Sequence, residues 1–416
     1  MPFNFNTDSF IQNHITLRQE SLLKPDLDKH FTSLSNRIQN KSVLVIGGAG
    51  TIGSSYIKAI SKFDIRKLVV VDINENGLTE LVRDLRSSTE FNIPNDFITY
   101  PVNFGDRVFE KIFRHHGPFE IVANFAAHKH VRSEKDIFSI EAMIENNVLR
   151  ARKLLDLLLE FPPEHFFCVS TDKAANPVNI MGASKKLMEE LIMAYSDKLP
   201  IKTARFANVA FSNGSLPLGF LERLSKHQPW SCPLGIRRFF VSPQESGELC
   251  LIASIMGESG DIFFPKLDEN RDMIPFDQIA LDLLETLGLT PDICKTEDEA
   301  KQKALFLNPI ALSPNRPVAP SPTYPIYFFG SDTSGEKAFE EFYTEKEELD
   351  NDSFINLGVV KNSKKRSIFE VNTIFTQLHT LFESQNVTKA AIVDVLKRYL
   401  PNFDHIEKGK HLDSQM

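Results

Sequence analysis

From Ser42 to about Phe264, β-type apolar runs alternate with amphipathic stretches; the runs are SVLVIGG, KLVVVD, DFITYPV, EIVANFAA, HFFCVST and IKTARFA. Repeated strand–helix alternation predicts an α/β fold, with a doubly wound parallel sheet covered on both faces. Beyond Arg205 the pattern loosens into SNGSLPLGF, a Cys-Pro-Leu-Gly turn and a proline run from Pro309 to Pro325. A smaller lobe is expected there. Residues 1–40 form a polar arm with helical stretches, whose Phe10, Ile11, Ile15, Leu22 and Leu23 are placed to lie on a neighbouring surface. Ser367 to Leu400 has helical spacing, with Ile368, Val371, Phe375, Leu378 and Leu381 on one face and Ile392, Val395 and Leu396 on another. Two docked terminal helices are expected, ended by Pro401.

Composition leaves this picture unchanged. An apolar fraction of 42% and a charged fraction of 25% are those of a globular chain, and 416 residues suit two or three structural units. The formal charge of −8 gives no electrostatic footprint for nucleic acid, so an anionic substrate must be held by local groups. No apolar run reaches the roughly 18 residues of a membrane span. The start MPFNFNTDSF also lacks a basic region followed by an apolar stretch, so a cytoplasmic location is expected. Cys168, Cys232, Cys250 and Cys294 are widely scattered and are expected to be reduced and structural. His115, His116, His128 and His130 have no Cys or carboxylate to complete a ligand set, and no metal is expected.

The segment VLVIGGAGTIGSSYIKAI joins an apolar strand, a glycine turn and a helix start, with Gly47, Gly50 and Gly53 in G-x-x-G-x-x-G spacing around Thr51 and Ile52. Residues without side chains let the backbone turn tightly and let a pyrophosphate approach the amides of the following helix. KLVVVD ends in Asp72, 19 residues past Gly53, where a carboxylate can bind the adenosine ribose hydroxyls. The sheet is therefore expected to be of Rossmann type. A carboxylate there repels a ribose 2′-phosphate, so NAD is expected rather than NADP.

HFFCVST reads as a buried strand whose polar end places Ser170, Thr171, Asp172 and Lys173 at the carboxyl edge of the sheet, where open α/β sheets bind ligands. Pro177 breaks the chain before a helix in which Met181 and Lys185 lie one turn apart, so both can point into one cleft. For Asp172 and Lys173 the plain alternative is a solvated ion pair, and for Met181 it is core packing. Beside a dinucleotide, an acid and an amine become a candidate proton-exchanging pair.

GGAGTIG, NFAAHKHV, STDKAANPVNIMGASKK and RFANVAFSNGS, in this order and spacing, resemble the extended short-chain dehydrogenase/reductases. They look most like the polysaccharide-biosynthesis nucleotide-sugar 4,6-dehydratases acting on UDP-N-acetylglucosamine. The resemblance covers about residues 40–265, with weaker echoes to about 345. It implies an NAD-binding domain over 41–210 with a return segment near 237–265 and a substrate-binding lobe over 211–365, while the arm over 1–40 and the helical tail over 366–416 have no assignment from it. Gly47, Gly50, Thr51, Ile52, Gly53 and Asp72 would hold NAD, Ala126 and Ala127 would line its ribose side, and Lys129 would stand at the cofactor or substrate edge.

The resemblance also makes Thr171, Asp172 and Lys173 the dehydration triplet and Lys185 the lysine that hydrogen-bonds the nicotinamide ribose. Asn208 and Ser215 would receive the nucleotide diphosphate, and Arg238 would belong to the nucleotide pocket. Met181 stands where most of the superfamily has the tyrosine that takes the hydroxyl proton, although one dehydratase branch carries methionine. Asn103 replaces a common aspartate near the adenine. The implied reaction is C4 oxidation, C5/C6 elimination of water and hydride return to C6. The candidates for the C4 hydroxyl proton are Thr171, a water and Asp172. A nucleotide-sugar 4-epimerase and a non-catalytic NAD-binding scaffold are the alternatives, and family likeness suggests a homo-oligomer.

Overall fold

A computed structural model describes residues 5–130, 134–307, 322–330, 341–361, 363, 365–384 and 386–405. Most of the proline run therefore lies outside the described residues. The arm opens with α1 (Thr7–Phe10) and α2 (Lys24–Ile38). Strands β1 (Ser42–Ile46), β2 (Lys67–Asp72), β3 (Asp96–Pro101), β4 (Ile121–Asn124), β5 (His165–Val169) and β6 (Ile201–Ala204) follow. Between and after them run α3 (Thr51–Ile60), α4 (Glu75–Ser87), α5 (Arg107–His116), α6 (Ile137–Ile144), α7 (Arg150–Glu160) and α8 (Ile180–Ala194). Next come β7 (Asn208–Val209), α9 (Leu216–Ser225), β8 (Trp230–Leu234), β9 (Arg237–Val241), α10 (Pro243–Met256), β10 (Ile262–Pro265) and β11 (Met273–Pro275). The chain continues through α11 (Phe276–Thr286), β12 (Thr290–Cys294), α12 (Glu297–Ala304), β13 (Thr323–Gly330), β14 (Glu348–Asp350), β15 (Leu357–Lys361), α13 (Ile368–Phe382) and α14 (Lys389–Tyr399).

The main sheet has the strand order β14-β15-β10-β6-β5-β4-β1-β2-β3. From β3 to β10 neighbouring strands are parallel, and β15 and β14 close the edge antiparallel. Successive side chains alternate between two apolar cores: Leu44 and Ile46 enter one, Val43 and Val45 the other. Phe166 and Cys168 divide from Phe167 and Val169 in the same way. Both faces must be apolar because helices cover both. Chain direction along the sheet reverses between β1 and β4, and the crevice at the carboxyl ends of these strands is where a doubly wound sheet binds ligands.

The stretch 211–365, expected as one lobe, divides between two places. Two small sheets, β11-β9-β7 and β12-β13-β8, surround a third core around Trp230 and Phe220. β10, β14 and β15 return to the main sheet instead. In β15, Leu357, Val359 and Val360 are all buried, which requires cover on both faces. Within the expected return segment 237–265, β9 pairs in the small sheet, α10 packs on α3, and β10 alone joins the main sheet. Gly247 permits the α10–α3 approach, since a Cβ there would lie 2.2 Å from the Ser55 carbonyl oxygen.

Arm and tail are both docked on this same chain. Phe10, Ile11 and Ile15 enter the lobe core and Leu23 enters the core beneath α3. Arg18 reaches Glu245 at 3.0 Å and Asp272 at 3.3 Å, and buried Asp26 accepts the amides of Ile355 and Asn356. In the tail, a capping box between Ser367 and Glu370 starts α13, whose Val371, Ile374, Phe375 and Leu378 are buried in the core shared with α7 and α8. The apolar residues expected to lie on a neighbouring surface are thus buried or partly buried within the chain.

Candidate active site

The glycine turn after β1 has the form of a cradle. Gly47 has φ +78°, and a Cβ on it would meet the Ala126 amide nitrogen at 2.5 Å. A Cβ on Gly53 would fall 2.2 Å from the Gly47 carbonyl oxygen, so the first turn of α3 can sit directly on the loop. Gly50 is the N-cap of α3 and supplies no side-chain cap, leaving the helix-end amides for a ligand. Asp72, at the end of β2, accepts the Ala49 amide at 2.9 Å through Oδ2 and the Asn74 amide at 2.9 Å through Oδ1. It braces the glycine loop against the end of β2. Ala126 and Ala127 are half-buried on the opposite wall, beyond β4.

At the carboxyl end of β5 the chain turns into a single 3-10 turn, Asp172–Ala174. Three donors converge on Asp172 Oδ1: Thr171 Oγ1 at 2.7 Å, the Lys173 amide at 2.9 Å and Lys173 Nζ at 3.0 Å. The Asp172 side chain is 5% exposed and that of Lys173 19%. The turn lies against α8 because Gly182 has no side chain; a Cβ there would be 2.7 Å from the Lys173 carbonyl oxygen.

Met181 and Lys185 are both buried on α8. Met181 belongs to the apolar core, while Lys185 Nζ donates to the Val169 carbonyl at 2.6 Å. Burial lowers the Lys185 pKa, and the neighbouring Cys168 and Glu189 act in the opposite direction. Sequence reasoning missed the residues that hold this helix. Glu134 Oε1 accepts the Met181 amide at 2.9 Å, a carboxylate on a helix N-terminus. Asn147 accepts the His128 amide at 2.8 Å and donates to Ser184 at 3.1 Å, tying the segment after β4 to α8. Asn147 has a faint signal, being a buried polar residue in a helical stretch; Glu134 has none, since its partner is 47 residues away.

The lobe supplies the remaining candidates. Asn208 on β7 donates to the Phe239 carbonyl at 3.4 Å, and Arg238 on β9 is buried with Nη1 donating to the Arg237 carbonyl at 2.9 Å. Ser215 is the N-cap of α9. Its loop meets the start of α3, because the Asn213 amide donates to Thr51 Oγ1 at 3.0 Å. A Cβ on Gly214 would stand 2.6 Å from the His130 ring. Ile52 packs partly buried at the base of α3. Lys129, in the segment that follows β4, is exposed, and the protein around it lowers its pKa by desolvation. The structure therefore gathers the glycine loop, the segment 126–130 and the loop 213–215 around one crevice.

Residues 43–362 match a family model described as polysaccharide biosynthesis protein. The chain belongs to the polysaccharide biosynthesis protein family. This membership agrees with the extended short-chain dehydrogenase/reductase motifs. Among relatives, the "uncharacterized membrane protein MJ1061" of Methanocaldococcus jannaschii is 31% identical over 63% of this chain and 77% of its own length. The capsular polysaccharide biosynthesis protein CapD of Staphylococcus aureus is 28% identical over 61% of this chain and 42% of its own. The chain thus spans less than half the length of that relative. The inverting UDP-N-acetylglucosamine 4,6-dehydratase of Campylobacter jejuni is 27% identical over 55% of this chain and 67% of its own length.

Two solved structures share the fold of this family member. Pen from Bacillus thuringiensis has a TM-score of 0.61 at 19% identity, covering 82% of this chain and 99% of its own. The UDP-glucose 4-epimerase of Thermotoga maritima has a TM-score of 0.52 at 18% identity, covering 73% and 90%. Among sequence relatives, dehydratase and epimerase names both occur, the latter in a UDP-glucose 4-epimerase of Rickettsia bellii that is 30% identical over 55% of this chain and 66% of its own length. Among the described residues, no helix is long and apolar enough to cross a membrane.

Proposed function

We propose that this chain is an NAD-dependent nucleotide-sugar 4,6-dehydratase that converts UDP-N-acetylglucosamine to a 4-keto-6-deoxy sugar nucleotide for polysaccharide or surface-glycan synthesis in the cytoplasm. The observation that carries this reading is the hydrogen-bonded array Thr171–Asp172–Lys173 at the carboxyl end of β5. An epimerase has no need of such an acid–base pair.

The crevice fits a dinucleotide, since Gly47 and Gly53 leave no room for side chains and the α3 N-terminus is uncapped. Bound there, NAD would supply the hydride acceptor for C4 of the hexose and the hydride donor for C6. In this reading Asp72 binds the adenosine ribose and Lys185 the nicotinamide ribose. Ala126 and Ala127 line the ribose side of the cofactor, Lys129 stands at the cofactor or substrate edge, Asn208 and Ser215 receive the nucleotide diphosphate, and Arg238 belongs to the nucleotide pocket.

Thr171 passes the C4 hydroxyl proton to Asp172 along their 2.7 Å hydrogen bond. Asp172 then delivers that proton to the departing C6 hydroxyl, which leaves as water. Lys173, in its neutral form, takes the C5 proton and returns it to C5 once C6 has been reduced. The proton count closes without an ionisable group at Met181, which has no proton to exchange.

The test is incubation of the purified protein with a panel of sugar nucleotides, followed by mass spectrometry. Loss of 18 mass units (about one water) from UDP-N-acetylglucosamine is expected, and Lys173→Ala and Asp172→Asn should abolish it together with C5 deuterium exchange. An isomer of unchanged mass would replace this reading with a 4-epimerase. NAD binding without turnover of any sugar nucleotide would replace it with a scaffold.

A further inference from the structure

Arg205, just beyond β6, is completely buried and makes paired contacts with two carboxylates. On one side its Nε and Nη2 reach Glu189 at 3.1 and 2.6 Å. On the other its Nη1 and Nη2 reach Glu347 at 2.8 and 2.7 Å. Nη1 also donates to the Phe342 carbonyl at 2.9 Å, and Glu347 accepts the Thr344 amide at 2.8 Å. A charged triad of this kind pays a desolvation cost that apolar residues would avoid, so its position calls for a reason. Glu189 Oε2 also accepts the hydroxyl of Ser170, the residue before Thr171, at 3.0 Å. Glu189 lies one helical turn beyond Lys185 on α8.

We propose that Glu347 is a positioning residue for the catalytic edge, acting through Arg205 and Glu189 on Ser170 and on Lys185, which lies one helical turn from Glu189. The proposal rests on the dehydratase reading for the role of Lys185, while the network itself stands on geometry. The groups facing Lys185 are Cys168 from β5 and Glu189 from α8. Behind Glu189 stand Lys186, Arg205 and Glu347. With Glu347 neutralised, Arg205 acts on Glu189 alone and a nearby negative charge disappears. Both changes disfavour the ammonium form of Lys185.

The experiment compares Glu347→Gln with wild type in two pH profiles, one of kcat and one of NAD affinity. The alkaline limb of both should move down by at least about 0.5 pH unit, with kcat at neutral pH reduced about tenfold and KM for the sugar nucleotide within about twofold. If Glu347→Gln does not fold, Glu347→Asp tests the same contact and should show a smaller shift in the same direction. Unchanged alkaline limbs in a folded variant would overturn the proposal, as would a fall in kcat without any movement of the limbs. A wild-type protein that turns over no sugar nucleotide would defeat the dehydratase reading only, because the NAD-affinity profile still reports on Lys185.

Discussion

Thr171 donates its hydroxyl hydrogen to Asp172 across 2.7 Å, so the buried aspartate already has a proton path to a neighbouring alcohol. Thr171→Val keeps the shape and removes the path. It should lower kcat about 10- to 100-fold with little change in KM, and Thr171→Ser should restore most of the rate. Steady-state kinetics with UDP-N-acetylglucosamine decide the matter. Equal rates for the wild type and the valine variant would send the C4 proton elsewhere.

The cradle makes a sharp distinction between two of its glycines. A methyl group at Gly53 would sit 2.2 Å from the Gly47 oxygen and 2.9 Å from the Gly48 Cα, both backbone atoms that cannot yield without moving the loop. At Gly50 the nearest atom is 3.5 Å away and φ is −74°, so a Cβ fits the protein itself. Gly53→Ala should therefore cost about 1–3 kcal/mol of stability and also weaken NAD binding. Gly50→Ala should leave the melting temperature nearly unchanged, and any loss of NAD affinity there reports crowding of the ligand. Thermal melts and calorimetric titration of both variants test the contrast.

The sheet was legible because parallel strands buried on both faces appear as apolar runs, and β1, β2, β4 and β5 each have such a run, whereas β6 reads IKTA and buries Lys202 and Thr203. β7 has two residues and β14 three, too short for any periodicity, and β8 contains a proline. The glycine loop and the Thr171–Lys173 turn were legible because local chain geometry builds them. Glu134 against Met181, and Glu347 against Arg205, are contacts across 47 and 142 residues that no local spacing encodes. The tail was recognised as helical, but its partner was not. Helical spacing marks the face carrying Val371 and Leu378 as apolar but does not say that α7 and α8 cover it.

Asp72 serves the loop amide of Ala49 as well as the expected ribose. Asp72→Asn removes the charge that repels a 2′-phosphate while leaving one oxygen to accept a hydrogen bond. The ratio of NAD to NADP affinity should fall about tenfold, equivalent to ~1.4 kcal/mol. Fluorescence titration with both reduced cofactors measures that ratio, and an unchanged ratio would remove Asp72 from cofactor selection.

The buried triad also predicts how the protein responds to acid. Burial alone would raise the pKa of Glu189, yet Arg205 and Lys186 outweigh it and hold the carboxyl at about 2, below its ordinary 4.5. Between these values an unfolded chain takes up a proton that the folded chain does not. The stability that Glu189 contributes is therefore complete above about pH 4.5 and is lost as pH falls toward about 2. Glu189→Gln removes this titration and leaves Arg205 with a neutral neighbour, at a cost of about 3–5 kcal/mol at neutral pH. Plotted against pH, the denaturant midpoint of the variant should lie below that of the wild type at pH 7 and should fall less steeply below pH 4.5. Parallel curves for the two proteins would mean that Glu189 does not carry this part of the acid response.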